Sequence, residues 1–350
     1  MTASSKPRIA LIGCGRIGQI HLRSLLSMRD VCELAAIVDL YEPAVRESAE
    51  KYGIESWGTD VDSIMSDPTI DAVIIASSTE THGPFISAAA KFGKDAFTEK
   101  PIALDIAATD TALTDVQAAG TRLQIGFQRR FDSGYRATRD KIERGELGAI
   151  EFIRDAMRDP EPPPFSYAER SGGLYRDMTI HNFDCVRWLM GDDPIEIFAT
   201  GSILVSSEIE AIGDIDTSVI TMRFASGALA TIENSRRSGF GYDVRTEVFG
   251  SKGAVFVGES RATPIRTFAN GVHEDHQYFF LERFGDAFRA ELVSFAEAIR
   301  TDSPVAVNGE DGRAALLLAY AAEESRKVNA PVNLADNTTA LEKDPLHATI

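Results

Sequence analysis

From residue 8 the chain alternates short aliphatic and β-branched runs with longer stretches whose apolar positions recur at helical spacing. RIALIG at 8–13 reads as a buried strand, and RIGQIHLRSLLSM at 16–28 as an amphipathic helix. CELAAIVD at 32–39 reads as the next strand, followed by the helix EPAVRESAEKYG at 42–53, opened by Pro43 and closed by Gly53. DAVIIAS with HGPFISAAAKFGK, then DAFTEKP with DIAATDTALTDVQAAG, and finally TRLQIGF carry the alternation to residue 127. Strands separated by helices of this length are joined by right-handed crossovers into a parallel sheet covered on both faces. The expected fold class is α/β, opening with a doubly wound domain over 1–126.

Beyond residue 126 the rhythm changes. Strands follow one another at AIEFIRDAM, IEIFATGSILV, TSVITMRF, ALATIENSRR, DVRTEVFG and GAVFVG, with turns such as ASG and GSKG between them. This predicts an α+β domain over 127–334, built on a large, mostly antiparallel open sheet. Helices are expected at 132–144, about 174–190, about 283–300 and about 310–327, the last two packing back toward the first domain. An uncovered face on so large a sheet calls for burial in a homo-oligomer, a tetramer or dimer. The segment 335–350 reads as a polar tail.

Composition narrows the partners. With 53 acidic and 36 basic residues the formal charge is −17, which argues against nucleic acid or an anionic membrane as a partner and leaves small uncharged molecules open. Three scattered cysteines, Cys14, Cys32 and Cys185, suggest neither a disulfide framework nor a zinc site. No run approaches the roughly 20 apolar residues of a membrane helix, and the apolar run IALIG is too short for a signal peptide, so a cytoplasmic location is expected.

Between the first strand and first helix lies GCGRIG, with Gly13, Gly15 and Gly18 in the order a Rossmann dinucleotide site demands. Gly13 makes the tight turn, Gly15 lets the backbone approach a diphosphate, and Gly18 permits close helix packing, while Arg16 and Ile17 complete the turn. The second strand ends in Asp39, 21 residues after Gly18. A carboxylate there accepts hydrogen bonds from ribose hydroxyls and repels a 2′-phosphate, favouring NAD over NADP. Lys100 falls at the carboxyl end of a later strand, where ligands bind in open α/β sheets.

RDMTIHNFDCVRW at 176–188 places Asp177, His181 and Asp184 at intervals of four and three, on one face of an otherwise apolar helix. Such a face belongs either to a cleft or to a helix-start aspartate beside a satisfied core histidine.

The segments STETH and FTEKP resemble the Gfo/Idh/MocA dehydrogenases. GFQRRFD, the proline run after MRDP, DMTIHNFD and NSRRSGFGYD extend the resemblance through most of 8–330, toward the inositol-dehydrogenase branch. The resemblance implies a cis peptide before Pro101 and a cofactor site that also includes Ser77, Thr79, His82, Glu99 and Lys100. It further implies oxidation of a secondary alcohol of a cyclic polyol or sugar, myo-inositol to its 2-keto product foremost, with hydride passing to NAD. His181 would be the general base, Asp177 would orient it or bind a hydroxyl, and Lys100 would hydrogen-bond the reacting oxygen. Gln128, Arg129, Asp159, Asp184 and Tyr242 match substrate-pocket positions. Arg129 and Arg130 also read as structural ion pairs, and Tyr242 as an ordinary sheet residue. Met157 and Asn182 depart from the family's pattern and leave the preferred stereoisomer open. Another inositol epimer, a sugar, or a non-catalytic NAD-binding regulator remain alternatives. HEDH at 273–276 reads as an exposed polar turn, and no metal site is expected.

Overall fold

The computed structural model describes residues 6–258, 261–268, 270 and 272–334, and the polar tail expected at 335–350 lies outside them. The chain forms two compact units, Met1–Phe131 with Asp286–Arg313, and Asp132–Gly285 with Ala314–Ile350.

The first unit is a six-stranded parallel sheet in the order β3-β2-β1-β4-β5-β6. Its strands are β1 (Arg8–Ile12), β2 (Glu33–Val38), β3 (Trp57–Gly58), β4 (Ala72–Ile75), β5 (Asp95–Glu99) and β6 (Leu123–Gly126). Between them run α1 (Arg16–Ser27), α2 (Glu42–Tyr52), α3 (Val61–Ser66), α4 (Thr79–Lys91) and α5 (Ile106–Ala119). Every residue of β4 and β5 is buried, the signature of a parallel strand covered on both faces. The sequence pattern left β3 and α3 unassigned, both being too short to show periodicity. Asp60 starts α3 by accepting the Asp62 and Ser63 N–H groups.

The second unit follows with α6 (Ser133–Glu143), β7 (Ile150–Arg158), α7 (Phe165–Ala168), a π-helical turn at Tyr175–Thr179 and α8 (Ile180–Met190). Its remaining strands are β8 (Pro194–Ser202), β9 (Thr217–Phe224), β10 (Leu229–Ser235), β11 (Asp243–Gly250) and β12 (Gly253–Val257), then β13 (Arg261–Phe268) and β14 (Val272–His276). The chain closes with α9 (Phe280–Arg283), α10 (Gly285–Thr301), α11 (Gly309–Val328) and β15 (Val332–Asn333). A seven-stranded sheet runs β12-β11-β7-β10-β9-β8-β15, antiparallel except for the β7–β10 pair. β9 alternates buried and exposed positions, as a strand with one covered face must. Ile220, Met222 and Phe224 face inward, while Val219, Thr221 and Arg223 face out. β13 and β14 pair as a separate hairpin.

α10 belongs to the first unit. Its Leu292, Phe295 and Ala296 pack with Ile9, Leu22, Leu25, Ile37, Ile74 and Phe97 in one apolar core.

The turn after β1 is set by contact. Gly13 has φ +103°, and a Cβ there would lie 2.5 Å from the Ala76 carbonyl oxygen. A Cβ on Gly18 would lie 2.1 Å from the carbonyl oxygen of Gly13 itself, so α1 packs flat on the turn it leaves. Backbone cannot yield as a side-chain tip does. Gly18→Ala is expected to cost about 1–3 kcal/mol in unfolding free energy through this overpacking. It should also weaken dinucleotide binding, with denaturant melts and cofactor fluorescence titration as the readouts.

Candidate active site

The strand order reverses at β1, and the predicted cofactor residues gather at the carboxyl ends of β1, β2, β4 and β5, the switch point where α/β sheets bind ligands. Gly15 stands at the start of α1 in an extended conformation, and a Cβ on it would meet nothing within 4 Å. That side of the turn is open to a diphosphate approaching the free N–H groups of the helix start. Arg16 is exposed and Ile17 half-buried at the same turn. The Asp39 carboxylate accepts the Cys14 N–H at 2.6 Å and the Tyr41 N–H at 2.8 Å. Two bonds leave a carboxylate with acceptor capacity for a ribose diol, so the residues present fit a dinucleotide. Burial, and then the Asp39 charge, push the Cys14 thiol up to about 11, so the sulfur beside this turn stays protonated.

Ser77 and Thr79 lie where β4 passes into α4, and the Ser77 hydroxyl pairs with Thr81 Oγ1 at 2.6 Å. His82 is buried, its Nδ1–H donating to the Pro101 carbonyl at 2.8 Å, with Nε2 3.2 Å from the Ser77 carbonyl. The imidazole thus braces one cofactor loop against another. The Lys100–Pro101 peptide is cis, as the resemblance implied, and Glu99 and Lys100 follow directly at the end of β5. Burial first, against the raising effect of its hydrogen bonds, lowers the pKa of His82 below its ordinary 6.5.

Gln128 and Arg129 occupy a buried 3-10 turn, Gln128–Phe131, in the first unit. Arg130 beside them holds Asp311 at 2.9 Å and 3.2 Å, so for this arginine the ion-pair reading is the observed one.

The remaining candidates belong to the second unit. The helix expected from 174 starts as the wider turn Tyr175–Thr179, so Asp177 sits on a π-turn and His181 on regular α-helix. His181 is 8% exposed and Asp184 1%. Oδ1 of Asp177 accepts the Tyr167 hydroxyl at 2.8 Å, and Oδ2 accepts Arg236 Nη2 at 2.9 Å. Arg236 also reaches Asp159 Oδ2 at 3.4 Å, so one guanidinium joins two predicted pocket carboxylates. Burial alone would lower the Arg236 pKa; the charges of Asp177 and Asp159 outweigh it and hold the group above its already high value. Tyr242 is buried just before β11, its ring edge-on to Phe279, Phe280 and Phe284.

Several readings change. Asn182 is fully buried and spends its amide on structure: Nδ2 donates to Asp155 at 2.8 Å, and Oδ1 accepts Asn234 Nδ2 at 3.0 Å. Thr246 donates to the other Asp155 oxygen at 2.6 Å, and Tyr135 pairs with Thr246 at 2.8 Å. Asn182 is therefore part of a polar layer tying α8 to β7 and β10. HEDH, expected as an exposed turn, forms most of strand β14. Its alternation is of charged residues, which carries no hydrophobic signal. Arg236 and Tyr167 were missed. The available signal for Arg236 was position, since it continues the inward alternation of Ile232 and Asn234, and a charged residue facing inward needs partners.

Replacing Arg236 by Met should destabilise the protein by about 1.5–3 kcal/mol near neutral pH, because two half-buried carboxylates lose their charge-assisted hydrogen bonds. The deficit should shrink toward pH ~4, where carboxylates take up protons, and urea unfolding at both values measures it. For His82, the folded state refuses a proton that the unfolded chain accepts below pH 6.5. Its stabilising contribution is complete above that value and falls as pH drops through it, by up to about 1.4 kcal/mol per pH unit. His82→Gln should flatten this slope in urea midpoints compared between about pH 7.5 and 5.5.

Comparison with known proteins accounts for both units. Residues 7–127 match the family model of oxidoreductases with an NAD-binding Rossmann fold, and residues 135–256 match the GFO/IDH/MocA C-terminal domain. The chain is 44% identical over 335 residues to Myo-inositol 2-dehydrogenase of Thermotoga maritima, covering 93% of this chain and 98% of the relative. It is 40% identical over 325 residues to Inositol 2-dehydrogenase of Rhizobium meliloti, covering 91% and 96%. The structure of scyllo-inositol dehydrogenase from Lactobacillus casei, with bound NAD(H) and scyllo-inositol, matches with a TM-score of 0.88 at 29% identity, covering 95% of this chain and 100% of that one. Glycine turn, strand-end carboxylate and sheet topology thus agree with two family models that together span most of the sequence, and the protein is an NAD-binding oxidoreductase of the Gfo/Idh/MocA family.

Proposed function

We propose that the protein oxidises a ring secondary alcohol of a cyclic polyol, myo-inositol to the 2-keto product foremost, with His181 as the base. The observation carrying this reading is the buried histidine four residues after Asp177, whose carboxylate is fixed by Arg236 and Tyr167. A wall of immobilised carboxylates suits a ligand that presents many hydroxyl donors, and the inositol dehydrogenases among its relatives support the same substrate class.

Bound NAD supplies the hydride acceptor. His181 takes the hydroxyl proton, and the Asp177 carboxylate favours the imidazolium that forms. Lys100 donates a hydrogen bond to the reacting oxygen and favours its developing negative charge. Asp159 and Asp184 accept hydrogen bonds from ring hydroxyls, and Gln128, Arg129 and Tyr242 complete the polar contacts. In the cofactor site Asp39 takes the ribose hydroxyls, which sets the preference for NAD over NADP.

Val219 and Leu229 lie exposed on the outer face of the larger sheet, beside the Arg154–Glu233 and Arg223–Glu196 ion pairs. Copies of the chain associate through this face. Cys14, Cys32 and Cys185 are buried thiols outside any disulfide, which suits a reducing cytoplasm.

A panel of inositol epimers and aldoses with NAD and NADP, followed by nicotinamide absorbance, tests the reading. Turnover of an inositol with NAD is expected, while tight NAD binding without oxidation of any alcohol would make the protein a regulator. Lys100→Met and His181→Gln are each expected to lower kcat by about 10²–10⁴-fold with much smaller changes in NAD affinity.

A further inference from the structure

Inside the first unit, α1, β5 and α10 bring His21, Glu99 and Glu291 together, with one donor atom from each within 4.8 Å of the others. His21 and Glu291 are wholly inaccessible and Glu99 is 9% exposed. The Nε2–H of His21 donates to Glu99 Oε1 at 2.7 Å, and the imidazole is packed edge-on against Phe97 and Phe288. β6 seals the group: Gln124 Nε2 donates to the Glu291 carbonyl at 2.8 Å, and a Cβ on Gly126 would lie 3.2 Å from the Glu99 carboxylate. Among the described residues no N–H or O–H donor reaches either carboxyl oxygen of Glu291, as a buried carboxylate would require.

Among the described residues, the titratable groups facing Glu291 are Glu99 from β5 and His21 from α1. Two ionised carboxylates this close, in an apolar interior with a single imidazole, would carry an uncompensated charge. Burial and then the charge of Glu99 accordingly push the Glu291 carboxyl well above its usual range. A metal ion is a poorer solution. It would need the His21 and Glu99 donor atoms directed at a shared point, and they are instead directed at each other.

We propose that Glu291 is a positioning residue, a carboxylic acid that donates its proton toward the Glu99 carboxylate and, with His21, fixes the end of β5 that carries Lys100. This rests on the role given to Lys100 above. The group links the helix that receives the diphosphate to the strand that delivers the lysine, so an error in it displaces the ammonium from its working place. A misplacement of about 1 Å in such a group is worth roughly 100-fold in rate.

The test combines kinetics with infrared spectroscopy. Glu291→Ala is expected to lower kcat by about 10- to 100-fold while the KM for NAD changes far less, and Glu291→Gln, neutral and still a donor, is expected to recover most of that loss. Near neutral pH the intact protein should show the carbonyl stretch of a protonated carboxylic acid, absent from Glu291→Gln. No such band, or a glutamine variant as slow as the alanine variant, overturns the proposal, as does a stoichiometric metal lost on substitution. If the alanine variant fails to fold, the infrared comparison and the glutamine kinetics still decide. An intact protein that oxidises no alcohol overturns the function proposed above and with it the positioning role; the band then reports the state of Glu291 alone.

Discussion

The cofactor end of the molecule depends on how closely the turn after β1 passes the end of β4. Gly13 donates its N–H to the Val38 carbonyl at 2.8 Å, and its α-carbon has no room for a methyl group against Ala76. Since β1 lies between β2 and β4, three strand ends are drawn to one point, and the groups that follow them inherit their places from it. Asp39 is tied to the turn through Cys14 N–H. Ser77 leaves from the same contact, and His82, a turn into α4, carries the constraint to Pro101 beside Lys100.

Charge in the second unit is handled by a different device. The covered face of the larger sheet is not uniformly apolar: among Ile153, Ile220, Ile232 and Val248 it carries Asp155, Asn234, Thr246 and Arg236. Asp155 and Asn234 are consumed by Asn182 and Thr179, which locks α8 onto the sheet. Arg236 turns to Asp177 and Asp159. Two neighbouring inward positions, Asn234 in β10 and Arg236 just past its end, therefore serve different ends, one the seating of the helix and the other an ionic bridge between two carboxylates.

The parallel sheet was legible because burial on both faces leaves continuous aliphatic runs such as AVII, and its glycine turn because only glycine meets the contacts at Gly13 and Gly18. The longer helices after residue 131 were also legible, to within a few residues, while the four-residue α7 and α9 were not. The π-turn at Tyr175–Thr179 was not, since the same apolar residues satisfy either winding over one turn. β13 and β14 escaped because neither shows a regular hydrophobic alternation: β14 is mostly charged, and β13 leaves Ile265 and Phe268 exposed. The place of Asp39 beside the glycine turn was legible, because the end of the second strand dictates it. The hydrogen bonds of Asn182 were not legible, because they depend on which face of α8 it occupies, and residues one apart on a helix look in directions about 100° apart.

The first unit is assembled from two stretches, and the larger stretch of the second unit, Asp132–Gly285, lies between them in the chain. A ribosome releases residues 1–131 long before 286–313, and until then the flank of Leu22, Leu25 and Ile37 lacks the cover of Leu292, Phe295 and Ala296. The nucleotide-binding sheet is thus begun first and sealed nearly last, so a nascent chain paused in between presents an open apolar surface, the kind of surface that chaperones hold.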